Sequence, residues 1–174
     1  MGEPEVVDGG AALLALYDRA LPQVYGYVLP RCGDARLAED LTAETFLAAV
    51  DAIQRKSTDE LSVGWLVTVA RNKLVDHWRR KEREERKLSL VHGEAEPDAD
   101  EWDERLDASL AREVLASLGS HHQAALTLRY MDDLPVPAVA DALGRTLHAT
   151  EALLVRARGA FRQAYEARTG DDDA

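Results

Sequence analysis

Asn72 stands inside a run of cations. From Arg71 to Lys87 the chain carries eight lysines and arginines against four acids. An amide among so many cations suits a nucleic-acid strand, because phosphates meet the cations while the amide reads a base edge. A solvated surface helix is the plain alternative reading. Other groups with chemical potential are weaker. His121 and His122 are adjacent, so on a helix they diverge by about 100° and are not expected to chelate one ion together. Glu39, Asp40 and Glu44 form a carboxylate cluster, yet no nucleophile, glycine-rich loop or histidine partner accompanies them. His77 belongs to the cationic run and suits a phosphate contact better than catalysis. Cys32 is the single cysteine; it excludes an internal disulfide and reads as a small apolar filler. No catalytic constellation, metal site or cofactor is expected.

The elements that must hold these groups read as helices. Ala, Leu and Arg dominate, with only eleven Gly and six Pro in 174 residues, so an all-α fold is expected. A helical pattern begins near Gly10, with Pro22 expected as a kink or boundary, and Gly33-Asp34 ends it. A second helix over about Ala35–Ile53 shows two apolar faces, Leu37, Leu41, Thr45, Ala48 and Ala52 on one, Phe46, Ala49, Val50 and Ile53 on the other. Such a helix is central to its domain or docks a partner. A loop over Gln54–Ser62 leads to the basic helix, where Val63, Leu66, Val67, Ala70, Leu74 and Trp78 share a face opposite Thr68, Asn72, Asp76 and Arg79.

Four further helices are predicted, over about Leu106–Ser117, Ser120–Met131, Val136–Leu143 and Leu147–Ala167. Gly144 is placed for a left-handed C-cap and Thr146 for an N-cap. The short helix, glycine turn and longer helix bearing Arg156, Arg158, Arg162 and Arg168 form a helix-turn-helix pattern. Thr150, Leu153, Leu154, Ala157 and Phe161 are expected inside, and Leu147, His148, Glu151, Ala152 and Val155 at a major groove.

Net charge is −11, which by itself argues against nucleic acid. Its distribution removes the objection. Residues 1–90 and 109–174 each carry a net −2, while residues 91–108 alone carry −7. That acidic stretch, with Gly93, Pro97 and the odd aromatic Trp102, reads as a linker too polar to form a core. No signal peptide or apolar run of membrane-spanning length is visible, so a cytoplasmic protein with no membrane insertion is expected.

The order of these parts resembles the extracytoplasmic-function (ECF) sigma factors of bacterial RNA polymerase. AEDLTAETFLAAV, GWLVTVARNKLVDHWRRKER, the acidic linker and LGRTLHATEALLVRARGAFRQ carry the resemblance, over roughly Leu13–Lys87 and Leu106–Arg168. It implies a non-enzymatic subunit that binds core polymerase, recognises −35 and −10 promoter elements and melts DNA. Three segments follow: residues 10–88 for −10 recognition, melting and polymerase docking, 89–107 as linker, and 108–168 as the −35-binding helix-turn-helix domain. The resemblance assigns Glu39, Asp40, Ala43, Glu44, Phe46 and Leu47 to core polymerase; Ala43 stands where the family often has glutamine. It assigns Trp65, Arg71, Asn72, Lys73, Asp76, His77, Arg79 and Arg80 to −10 DNA. To −35 DNA it assigns Arg129, Thr146, His148, Glu151, Ala152, Val155, Arg156 and Arg158. Glu151-Ala152-Leu153 replaces a stretch that is commonly basic and polar, which implies an atypical −35 preference. Expected partners are core RNA polymerase and promoter DNA, with an anti-sigma protein a further candidate. In the family the linker threads the polymerase's RNA channel, where a net −7 segment would mimic nucleic acid; a solubilising tether is the alternative. The rivals are an autonomous helix-turn-helix regulator, which leaves AEDLTAETF without a role, and a hydrolase using Glu39–Glu44.

Overall fold

A computed structural model describes residues 9–55, 61–88 and 106–171 of the chain. The acidic cluster with Trp102, the first eight residues, the centre of the Gln54–Ser62 loop and the terminal residues 172–174 lie outside the described residues. The fold is all-α, as expected: helices α1 (Gly9–Cys32), α2 (Ala35–Gln54), α3 (Val63–Leu88), α4 (Ala108–Ser117), α5 (Ser120–Leu126), α6 (Val136–Leu143) and α7 (Leu147–Asp171). Packing divides the chain into two compact units, residues 1–74 and 75–174, with the division inside α3.

In the first unit α1 packs on α2. The α1 stripe is Leu13, Leu16, Ala20, Val24, Val28 and Cys32, all buried at helical spacing. Of the kink or boundary expected at Pro22, the boundary is absent: α1 runs through this proline. Its ring lies on the exposed side, so the helix loses one backbone hydrogen bond at the solvent face. Burial of two leucines and two valines, each worth about 1.5–3 kcal/mol, outweighs a penalty of about 3 kcal/mol. Gly33 turns the chain at φ 71°, a left-handed conformation that glycine adopts without steric cost. Asp34 then caps α2 by accepting from the Leu37 amide at 2.8 Å.

The two apolar faces expected on α2 are drawn differently. Its buried seam is Ala38, Leu41, Thr42, Thr45, Phe46 and Ala49, which merges members of both expected faces. Thr45 enters that seam because its hydroxyl donates to the Leu41 carbonyl at 2.7 Å. Leu47 and Val50 are left on the outside. Cys32 is buried, as expected of a filler, and burial pushes its thiol above the ordinary range, with the Asp34 charge adding to the rise. On α3, Leu66, Ala70, Leu74, Val75 and Trp78 are buried while Thr68, Asn72, Asp76 and Arg79 are exposed. The exposed side is the one its periodicity predicts, whereas on the other side Val63 and Val67 are only half-buried and Val75 joins the buried set.

The second unit is organised on α7, against which α4, α5 and α6 pack. Leu115, Leu126 and Ala157 form a buried cluster, flanked by Leu118, Met131 and Phe161. Asp107 caps α4 through the Ser109 and Leu110 amides at 3.0 and 2.8 Å. The helix expected over Ser120–Met131 is not uniform. Its last turn, Thr127–Met131, is π-helical, closed by the Asp132 amide on the Thr127 carbonyl at 3.0 Å. Asp133 follows at φ 53°, a left-handed position that aspartate tolerates better than most residues. Gly144 caps α6 at φ 62°, ψ 38°, and Thr146 starts α7 by accepting from the Ala149 amide at 3.2 Å. Both caps were legible beforehand.

Candidate functional site

The basic helix starts at a cap of its own. Ser62 accepts from the Trp65 amide at 3.1 Å, which fixes the register that turns Leu66, Ala70 and Leu74 inward. The opposite side is then obliged to face out, and Asn72, Asp76, Arg79 and Arg80 are exposed there. Trp65, Arg71, Lys73 and His77 are half-buried at its margins. Arg71 donates from Nε to the Tyr27 hydroxyl at 3.3 Å. The Arg31 guanidinium lies over the same tyrosine ring, 3.8 Å from its centroid. Lys73 stands 3.9 Å from Glu44 on α2. An exposed amide with arginines along one rim can engage a strand's bases and phosphates together.

Beyond Trp78 the same helix is tied to the later ones. Glu82 accepts from Arg86 at 2.6 Å and also from Arg145 in the α6–α7 turn. Glu85 accepts from the Ser120 hydroxyl at 2.7 Å and its amide at 3.3 Å, which covers an orphan donor at the start of α5. These carboxylates are occupied within the protein.

The residues expected on α2 do not all share one environment. Glu39, Asp40, Ala43 and Leu47 are exposed and Glu44 is half-buried. Phe46 is buried, its ring 4.9 Å from that of Tyr17. Around it runs an open groove of about 660 Å³ between α1 and α2, lined by Leu13, Leu14, Tyr17, Ala43, Phe46, Leu47 and Val50 among others. Leu14 and Leu47 are 76% and 65% exposed. Apolar side chains displayed together like this mark an interaction surface.

The α7 residues expected toward a groove lie at or near the surface. Thr146, His148, Glu151, Arg156 and Arg158 are exposed, and Ala152 and Val155 are half-buried. Thr150, Leu153, Leu154 and Ala157 are buried beneath them. Arg129 sits half-buried in the π-turn, donating to the Leu134 carbonyl at 3.3 Å. One sequence-based expectation fails here: the His121 and His122 rings do not diverge but touch, with centroids 4.0 Å apart. Side-chain torsions swing adjacent rings together when both are pressed into the same half-buried site. Burial, then the charge of His121 and of Arg156, holds His122 down at about 4. Among the described residues no group of three His, Cys, Asp or Glu side chains is arranged to hold a metal ion.

The family model for sigma-70 region 2 matches residues 16–84, which takes in most of α1, all of α2 and most of α3. The chain is 32% identical over 138 residues to the ECF RNA polymerase sigma factor SigL of Mycobacterium tuberculosis, covering 77% of each protein. The chain belongs to the ECF sigma factors. It is also 33% identical over 151 residues to the ECF sigma factor BldN of Streptomyces coelicolor, although it spans only 56% of that protein's length. Among solved structures it resembles the sigma factor RpoE of Bartonella quintana, determined in complex with the anti-sigma factor NepR. The TM-score is 0.53 at 20% identity, covering 92% of this chain and 98% of that one. No described helix of this ECF sigma factor is long and apolar enough to cross a membrane. Two tyrosines in the sigma factor escaped sequence reasoning, Tyr27 and Tyr130. The Tyr130 hydroxyl accepts from Arg158 at 3.2 Å. No local signal distinguishes either from an ordinary helical tyrosine, since the arginines they meet lie 44 and 28 residues away.

Proposed function

We propose that this sigma factor binds core RNA polymerase, reads −10 and −35 promoter elements and melts the −10 region, without enzymatic activity of its own. The observation that carries the reading is the exposure of Asn72 on a basic helix whose other side is buried. Residues 10–88 would supply −10 recognition and polymerase docking, and residues 108–168 the −35 contact, with 89–107 joining them. Asn72 reads an unstacked base, and extruding that base costs a few kcal/mol that hydrogen bonds and cations return. Trp65, Arg71, Lys73, Asp76, His77, Arg79 and Arg80 flank the strand. Polymerase docks on the outer side of α2, where Glu39, Asp40, Ala43, Glu44 and Leu47 meet the apolar groove and Phe46 supports it from within. The α6–α7 pair places His148, Glu151, Ala152 and Val155 toward base edges, with Arg129, Thr146, Arg156 and Arg158 flanking them. Glu151 accepts from a cytosine amino group. Core polymerase and promoter DNA are thus the partners, and an anti-sigma protein is a third candidate.

Run-off transcription with core polymerase on a genomic fragment library tests the proposal directly. Discrete transcripts that require the sigma factor are expected. Their absence, or failure of the chain to co-purify with core polymerase, would overturn it.

A further inference from the structure

The π-turn at Thr127–Met131 sets two neighbouring side chains to different tasks. Arg129 turns back on the chain, donating to the Leu134 carbonyl at 3.3 Å and lying 3.8 Å from the Asp133 carboxylate. Tyr130 points outward and is 55% exposed. Its ring has the Arg129 guanidinium 5.6 Å from the centroid, and its hydroxyl accepts from Arg158 Nη1 at 3.2 Å. Arg158 lies two turns beyond Glu151 and three beyond Leu147, on one face of α7. Among the described residues no carboxylate is paired with it.

A phenol oxygen that accepts a hydrogen bond keeps its own hydrogen to donate. Arg158 spends one of five N–H groups on Tyr130 and has the others left. Two donors of different residues therefore sit side by side at the surface, one of them cationic. The arginine is held in place by the tyrosine rather than neutralised by an acid. That combination matches an oxyanion carrying several acceptor oxygens, and on a DNA-facing helix the oxyanion is a backbone phosphate. We infer that Tyr130 and Arg158 form a cradle for one phosphate of the −35 duplex, with Tyr130 both positioning the arginine and donating to the phosphate. The inference rests on the reading of α7 as the −35 helix. Phosphate contacts set register and carry no base preference themselves. The cradle would therefore fix how deep and at what angle the Leu147–Val155 face enters the groove.

The test uses the full chain with core RNA polymerase on a promoter fragment recovered by selection. Phosphates across the −35 element are replaced one at a time by neutral methylphosphonates. At one position the parent should bind about tenfold less tightly. Tyr130→Phe keeps the ring and removes the hydroxyl. It should weaken binding to unmodified DNA by a similar factor and lose most of its sensitivity at that one position. Base preferences should stay unchanged, and the slope of log affinity against log salt should become shallower for Arg158→Gln by about 0.9. Tyr130→Phe that retains parental sensitivity at every phosphate overturns the cradle while leaving the −35 reading intact. A parent insensitive at every −35 phosphate overturns both. Arg158→Lys guards against an unrelated effect of the ring change: it keeps the charge but loses the planar fork, and retained sensitivity at that phosphate would likewise overturn the cradle.

Discussion

Tyr27 and Tyr130 make the same bond in different surroundings. Each accepts from an arginine of a later helix, Arg71 at 3.3 Å and Arg158 at 3.2 Å. Tyr27 is half-buried, has Arg31 stacked on its ring and joins α1 to α3. Tyr130 is more than half exposed and holds its arginine at a surface. In the first case the bond fixes the helix that carries Asn72. In the second it fixes a side chain at an exposed surface, the one where the proposal above places DNA. One donor–acceptor pair thus serves as an internal tie or holds a cation at the surface, and exposure decides which.

The sharpest way to break the comparison is to remove the proposed base reader, Asn72, beside the half-buried pair. Asn72→Ala should lose about 1–3 kcal/mol of discrimination at one −10 position, with polymerase binding retained. Permanganate mapping of promoter opening measures it, and opening equal to the parent would move the pocket elsewhere. Exchanging the tyrosines themselves is the next largest effect. Tyr27→Phe should lower stability by about 1 kcal/mol, because the half-buried Arg71 loses this hydrogen bond. Tyr130→Phe should leave the unfolding temperature unchanged and alter DNA affinity instead. Equal thermal shifts in the two variants would erase the distinction.

The second unit also differs from the first in carrying histidines pressed out of water. His122 is held down from 6.5 to about 4 by burial, His121 and Arg156, and His121 is lowered by burial as well. An unfolded chain protonates these rings where the fold keeps them neutral. Below about pH 6.5 the unfolded state therefore binds more protons, and stability should fall as pH drops from about 6.5 toward about 4. His122→Gln should flatten that part of the unfolding-temperature profile; an unchanged slope would place the pH dependence in other groups.

Smallest is the expected stability change on the outer side of α2, where the proposal docks polymerase. Asp40→Ala with Glu44→Ala removes one exposed and one half-buried charge and one long contact to Lys73 at 3.9 Å. It should cost less than about 0.5 kcal/mol of folding. Core-polymerase affinity should nevertheless fall in a titration of the labelled double variant. Unaltered affinity would shift docking toward the Leu14–Leu47 groove.

Helix positions were legible in the chain because periodicity and caps are local. The stripe of α3 follows from 3.6-residue spacing of Leu66, Ala70 and Leu74. Gly144 and Thr146 announce their turn through backbone conformation and a single side-chain hydrogen bond. Pro22 as a boundary misled because the cost of a helical proline is local, whereas the burial that outweighs it depends on what α1 packs against. The same limit hid the environment of Phe46, which sequence pattern assigns equally well to a partner or to the core until Tyr17 is placed beside it. Asn72 could be singled out from its neighbours in the chain, since one helix supplies both the amide and the cations.

Composition, helical register, capping and the order of motifs were thus determined by the sequence itself, all of them set by interactions within a few residues. Only the tertiary structure decided which arginines are occupied and which remain open. Arg145 meets Glu82 from 63 residues away and Arg158 meets Tyr130 from 28. An arginine's role depends on the acceptor that packing brings to it, and that acceptor has no fixed spacing along the chain.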